Sequence, residues 1–281
     1  MMGRRKVFVP AMLIFGFLFL YVPILSMMFY SFNYSKLVTV WDHANSPTLK
    51  WYGQLFHDTQ IMGAAWLSIK IATINGCLAV VLGTFAGLVL ARFGRFRGRT
   101  LLAAMTTAPL VMPEVITGLA MLLVFVAMEQ LIGWPAGRGV TTIIIAHVTF
   151  SMAYVTVIIQ SRLVSFDDSL EEAAMDLGAR PAKVFFRITL PLIMPAVISG
   201  WLLAFTLSWD DVVISQFVAG PSSTTLPMVI FSKVRLGVSP AVNALATIMV
   251  LIVATGVMLS AIVMQRQEKR RLREMQLAAS D

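Results

Sequence analysis

The chain has 281 residues, 58% of them hydrophobic and 13% charged, with a mean hydropathy of +0.82 and a formal net charge of +8. A water-soluble domain of this length cannot hide so much apolar surface, so the composition excludes a soluble enzyme or binding module and makes lipid the solvent. A single cysteine, Cys77, excludes an intrachain disulfide and a cysteine metal cluster.

Crossing a bilayer core takes about 20 helical residues. Six stretches meet that length, at roughly 7–32, 64–91, 101–130, 140–161, 192–214 and 241–264. Ten-residue segments of alternating polarity are lacking, which argues against a β-barrel. The expected fold is an all-α integral membrane protein of six transmembrane helices, with one membrane domain filling 1–281. The first apolar run is longer than a signal-peptide core, and no A-x-A site follows at "SFNYSK", so it is expected to stay as an anchor.

Polar segments separate the spans: 33–63, "ARFGRFRGRT", "GWPAGRGV", 162–190 and 215–240. Sixteen Lys and Arg fall on the side that holds both termini and five on the other, with Lys70 inside a span. Basic loops stay in the cytoplasm, so both termini are expected inside. The positive charge is therefore topology and not a nucleic-acid footprint. The basic tail 265–281 reads as a helical extension of the last span, held by the negative inner-leaflet lipid. Lys70 is expected to snorkel toward the interface, and His147, with no second His or Cys near it, to hydrogen-bond between helices.

Between the fourth and fifth spans lies "SLEEAAMDLGARPAKVFFRITLPLIMP". Ser169 followed by Glu172 fits a capping box. Leu170, Ala173, Ala174 and Leu177 then repeat on one helix face, which two alanines keep shallow. Gly178 suits a corner that needs positive φ. Pro181 suits the first turn of a second helix with Val184, Phe185 and Ile188 on one side, and Pro191 ends the approach to the next span. A short amphipathic helix of this kind either fills a groove in a partner or lies on the membrane surface.

This segment, at 162–191, resembles the coupling loop of ABC-importer permeases: Glu172-Ala173-Ala174, then Gly178, then Ile188, Leu190 and Pro191 at the family's spacing. The resemblance implies a type I ABC-importer permease fold and a coupling helix that docks in a separate ATPase subunit. The chain has no G-x-x-x-x-G-K-[ST] phosphate loop, so ATP and magnesium would be bound by that partner and the chain itself would be no enzyme. Further stretches, "TLKWYGQLF", "PLVMPEVITG", "FTLSWDDVVISQFVAGPSSTTLPM" and "GVSPAVNALATI", are similar to the spermidine/putrescine permeases, most of all those of putrescine systems. That likeness implies a bacterial inner-membrane complex with a homologous second permease, two ATPase subunits and a periplasmic polyamine-binding protein.

Ionisable groups inside spans are costly and usually face a cavity, a pathway or a partner. Glu114 in the third span, and Asp210 and Asp211 near the end of the fifth, are candidate carboxylates for an ammonium group on its way across. Adjacent aspartates point to different sides of a helix, so one of the two is expected to face the pathway. The other would cap a following helix or pair with Lys233 or Arg235, and Glu114 has the alternative of bonding to a neighbouring helix. Trp201, Phe205 and Trp209 form an aromatic stripe, a pattern that more often serves helix packing than binding, with Trp209 the candidate for a cation–π contact. No metal site is expected. The rival readings are the same machine with an iron complex or another organic cation, a stand-alone secondary transporter, and a membrane enzyme. The last lacks G-x-S-x-G and H-E-x-x-H and has only three histidines.

Overall fold

The computed structural model describes residues 2–36, 40–165, 167–237 and 239–255, together with 258 and 262. All regular structure among them is helical: α1 (Met2–Tyr30), α2 (Lys50–His57), α3 (Thr59–Arg92), α4 (Arg99–Val111), α5 (Glu114–Ile132) and α6 (Val140–Val164) come first. They are followed by α7 (Ser169–Asp176), α8 (Pro181–Val184), a π turn (Phe185–Thr189), α9 (Leu190–Trp209), α10 (Val213–Val218), α11 (Leu226–Leu236) and α12 (Pro240–Thr255).

Five helices are long and apolar enough to cross a membrane: Phe8–Tyr30, α3, α5, α6 and the run Pro181–Trp209. The shorter apolar α12 occupies the place of the sixth. The end of the span expected over 241–264, and the tail 265–281, lie outside the described residues apart from 258 and 262.

Two expected spans are corrected. The run 101–130 is broken between α4 and α5: Met112 is extended (ψ 135°) ahead of Pro113, whose ring disfavours helix at the preceding residue. The span expected over 192–214 begins earlier, at Pro181, and its helix stops at Trp209, leaving α10 as a separate short helix. Pro191 does not interrupt it. It stands just after the π turn, where the Leu190 N–H reaches back five residues to the Phe185 carbonyl. The extra residue of the π turn carries α8 into α9 without a break.

The described residues cluster in two compact units, 60–231 and the pair of segments 1–59 with 232–281. In the first unit α6 is the central helix. Near its Val140 end Ile143, Ala146 and Phe150 pack with Ile71, Phe125, Ile214 and Val218, and farther along Val155, Ile159 and Leu163 pack with Ala79, Ile193 and Ala204. Lipid tails are as apolar as these side chains, so close packing rather than water exclusion holds them. Gly83 shows how close: a Cβ built there would lie 2.7 Å from the Val155 Cβ. Asn75 of α3 is fully buried among three helices, its Nδ2 donating to Ser151 Oγ of α6 (3.1 Å) and to the Ala204 carbonyl of α9 (2.7 Å).

In the second unit α1 turns its large apolar side chains outward, from Phe8 to Phe29. The loop after it is organised by buried Asn33. Its Oδ1 accepts from the Asp42 N–H (3.0 Å) and the Ser46 hydroxyl (3.2 Å), its Nδ2 donates to the Val40 carbonyl, and Trp51 Nε1 donates to its backbone carbonyl at 2.6 Å. Lys233, offered by the sequence as a partner for an aspartate of the fifth span, bonds instead to Asp58 at 3.3 Å.

Candidate functional site

Within the segment 162–191, residues 169–184 fold as a helix, a glycine corner and a second helix. α7 starts one residue earlier than the expected capping box requires. Ser169 is its first helical residue, the Asp168 carbonyl accepts from the N–H groups of Glu171 and Glu172, and no side chain of the N-cap closes the turn. The Ser169 N–H goes instead to Asp167 Oδ1 at 3.0 Å, a bond that holds the Asp167 carboxyl below its usual range. At the other end Gly178 has φ +84°, with its N–H bonded to the Met175 carbonyl and the Ala179 N–H to that of Ala174. This is a complete Schellman closure, which favours glycine at the left-handed position.

The two faces of α7 differ. Outward lie Leu170, Glu172, Ala173 and Leu177, the last 89% exposed, with Ala174 half-buried. Inward lies Glu171, which pairs with Arg92 at the end of α3 (3.5 Å) and accepts the Thr189 hydroxyl at 2.6 Å. Asp168 also pairs with Arg92. Beyond the corner, Val184 is buried and Phe185, Ile188 and Leu190 half-buried, the inner face expected for α8, while Pro191 is exposed. Leu170, Ala173 and Leu177 thus leave an apolar, shallow strip facing outward.

The carboxylates proposed for a pathway fall into different surroundings. Glu114 opens α5 directly after the break and is exposed, one turn before Gly118, where α10 closes in with Phe217. Asp210 is exposed at the C-terminus of α9. Asp211 is turned inward, its side chain only 8% exposed. It accepts the backbone N–H groups of Ile214 (3.2 Å) and Ser215 (2.7 Å) and so caps α10, the helix-capping role left open for one of the pair. Trp209 is half-buried and stacks on Phe205 at 6.1 Å, and Phe205 stacks on Trp201 at 5.4 Å. Trp201 in turn donates its indole N–H to Cys77 Sγ. Lys70 lies on the exposed side of α3 with its ammonium 5.2 Å from the centre of the Trp66 ring, one turn back along the helix.

His147 joins the elements around Asp211. Its Nδ1 shares a hydrogen bond with Ser208 Oγ of α9 (2.7 Å), and its Nε2 with Asp211 Oδ2 (3.2 Å) and Ser215 Oγ (3.1 Å). By composition this is a Ser–His–Asp set, but all its members are sealed from solvent and the aspartate is occupied as a helix cap. It ties α6, α9 and α10 together and offers no nucleophile to a substrate. His147 lies seven residues from the start of α6, about 10 Å along its axis, so the tie is set within the bundle. Among the described residues no group of three or more His, Cys, Asp or Glu is arranged to hold a metal ion. The interhelical role of His147 was legible from its isolation in an apolar run. The bonds of Asn75 and Arg92 were not, since their partners lie at least 76 residues away.

A family model described as "Binding-protein-dependent transport system inner membrane component" matches residues 79–273. The putrescine transport system permease protein PotI of Escherichia coli K12 is 59% identical over 266 residues, covering 95% of this chain and 94% of its own. The spermidine/putrescine transport system permease protein PotC of Haemophilus influenzae is 39% identical, over 88% of this chain and 93% of its own. Among solved structures, a chain of a bacterial ABC transporter involved in the import of the acidic polysaccharide alginate aligns with a TM-score of 0.69 at 18% identity, over 93% of this chain and 96% of its own. A chain of the MetNI methionine ABC transporter aligns with a TM-score of 0.57 at 16% identity, over 73% and 94%. The fold is accordingly that of type I ABC-importer permeases, and the chain belongs to the family of binding-protein-dependent transport system inner membrane components.

Proposed function

We propose that this chain is the transmembrane permease subunit of an ATP-driven importer of polyamines, with putrescine as its substrate. One observation carries the substrate: 59% identity, over 95% of the chain, to a permease named for putrescine. The helix, glycine corner and outward face at 169–178 support the ATP-driven part, because they present a surface for a separate motor.

On this reading both termini are cytoplasmic and α7 docks in one of two ATPase subunits, which bind ATP and magnesium. A homologous second permease completes the pathway, and a periplasmic polyamine-binding protein delivers the substrate. The chain performs no covalent chemistry. Putrescine is a diamine that carries two positive charges at neutral pH, and each ammonium group sheds water on the way across. Glu114 and Asp210, both exposed, would supply compensating charge, and Trp209 a ring face. Asp211 would act indirectly, by fixing α10 through its cap and His147.

Uptake of labelled putrescine by cells expressing the complete transporter, with and without this chain and against excess unlabelled spermidine, tests the reading. Uptake that needs the chain and resists spermidine is the expected result, and strong competition by spermidine would widen the substrate to polyamines in general. No chain-dependent uptake, with every subunit present, would overturn the substrate.

A further inference from the structure

We propose that Arg92 is the positioning residue that ties the coupling helix to the bundle and hands its movement to α3. The proposal rests on the reading of α7 as the element that engages the ATPase subunit.

None of the residues of α7 is buried, so apolar packing does not set its place. Its hold on the bundle is polar and lies at its first turn. Arg92, the last residue of α3, pairs with Asp168 just before α7 and with Glu171 inside it. Glu171 in turn accepts the hydroxyl of Thr189, the last residue of the π turn and itself buried. One cluster thus joins the end of α3, the start of α7 and the entry to α9. The side chains of Arg92 and Glu171 are each only 17% exposed, so salt screens their attraction less than that of a surface pair. A guanidinium can also serve two carboxylates at once through its fixed fork of donors.

The geometry gives the cluster a mechanical direction. The outward face of α7, with Leu170, Ala173 and Leu177, is free of the cluster, while the inward Glu171 is gripped by it. A push on the outward face therefore moves Glu171, and Glu171 moves with it the ends of two membrane-crossing helices. Without Arg92 the push would reach α9 through the chain and Thr189, but would lose its direct connection to α3.

The test uses the whole transporter, reconstituted in liposomes with its partner subunits, and reads putrescine moved per ATP hydrolysed alongside the amount of ATPase subunit that copurifies. Arg92→Gln is expected to lower that ratio about tenfold, the scale of a coupling free energy between sites, with the ATPase subunit retained. Glu171→Gln keeps an oxygen for Thr189 but not the charge, and is expected to lower the ratio similarly. Arg92→Lys, which keeps the charge but not the fork, should fall between Arg92→Gln and the wild type. A wild-type ratio in Arg92→Gln or in Glu171→Gln overturns the proposal. Loss of the ATPase subunit from the Arg92→Gln complex also overturns it, by making Arg92 a determinant of docking instead. A wild-type complex that never retains an ATPase subunit would sink the reading of α7 itself, an outcome distinct from all of these.

Discussion

Replacing His147 by leucine removes the imidazole while roughly keeping its volume, so the effect reports the polar tie and not a cavity. The ring has bonds to Ser208, Asp211 and Ser215, at 2.7, 3.2 and 3.1 Å. Asp211 keeps its two backbone donors, from Ile214 and Ser215, so its carboxylate is not stripped bare. What is lost is three bonds at roughly 0.5–1.5 kcal/mol each, with the Ser208 hydroxyl left in an apolar surround and that of Ser215 kept beside Asp211, or about 2–4 kcal/mol in all. Equilibrium unfolding of the purified protein in mixed micelles measures it. Ser208→Ala alone should cost about 1 kcal/mol, and combined with His147→Leu it should cost less than the sum of the two, because they share a bond. A His147→Leu variant within about 0.5 kcal/mol of the wild type, or strict additivity with Ser208→Ala, would refute the reasoning.

Gly178→Asp puts a side chain onto a residue at φ +84°, which aspartate adopts at less than the roughly 1–2 kcal/mol that most other residues need, and no atom lies within 4 Å of the added Cβ. The chain should still reach the membrane, as fractionation would report, but energised uptake should be lost, and normal uptake would remove the docking reading. Gly83→Val drives a side chain into Val155 and should destabilise the protein by about 1–3 kcal/mol. Gly63→Ala, in the same helix but with open space around it, should unfold no earlier than the wild type. Asp210→Asn should reduce putrescine uptake about tenfold, the worth of one charge-assisted contact, while leaving unfolding unchanged. Asp211→Asn should lower the unfolding free energy and reduce uptake less than Asp210→Asn does, and matching effects of the two variants on both assays would refute the division of labour between them.

The parts of the fold that were legible in the sequence are those with a local cause. Apolar length marked the spans, and the spacing of Gly178 and Pro181 marked a corner between two short helices, where the structure has a Schellman closure and a proline in the first turn. The break before α5 also had a local signal, since Pro113 acts on Met112, but the apolar run around it hid the signal. The end of α9 at Trp209 had none as strong. It depends on Asp211 finding both the N–H groups of α10 and the ring of His147, 64 residues back in the chain. Of the two acidic residues in the first turn of α7, the sequence pattern drew attention to Glu172, whereas Glu171 is the one that binds the bundle. Periodicity ranks faces by hydrophobicity, and it cannot anticipate an arginine that arrives from a distant helix.

The π turn at Phe185–Thr189 has a consequence for the azimuth of everything after it. A π turn holds one residue more than a regular α spiral needs. Shortening the chain by one residue within it would leave a plain α-helix, with α9 still facing the same way. The same shortening at Ile198 would rotate all later side chains by about 100°, carrying Ser208 away from His147 and the Ala204 carbonyl away from Asn75. The turn next to the coupling segment is therefore a place where the chain can change length at constant phase, ahead of a helix whose bonds leave no such freedom.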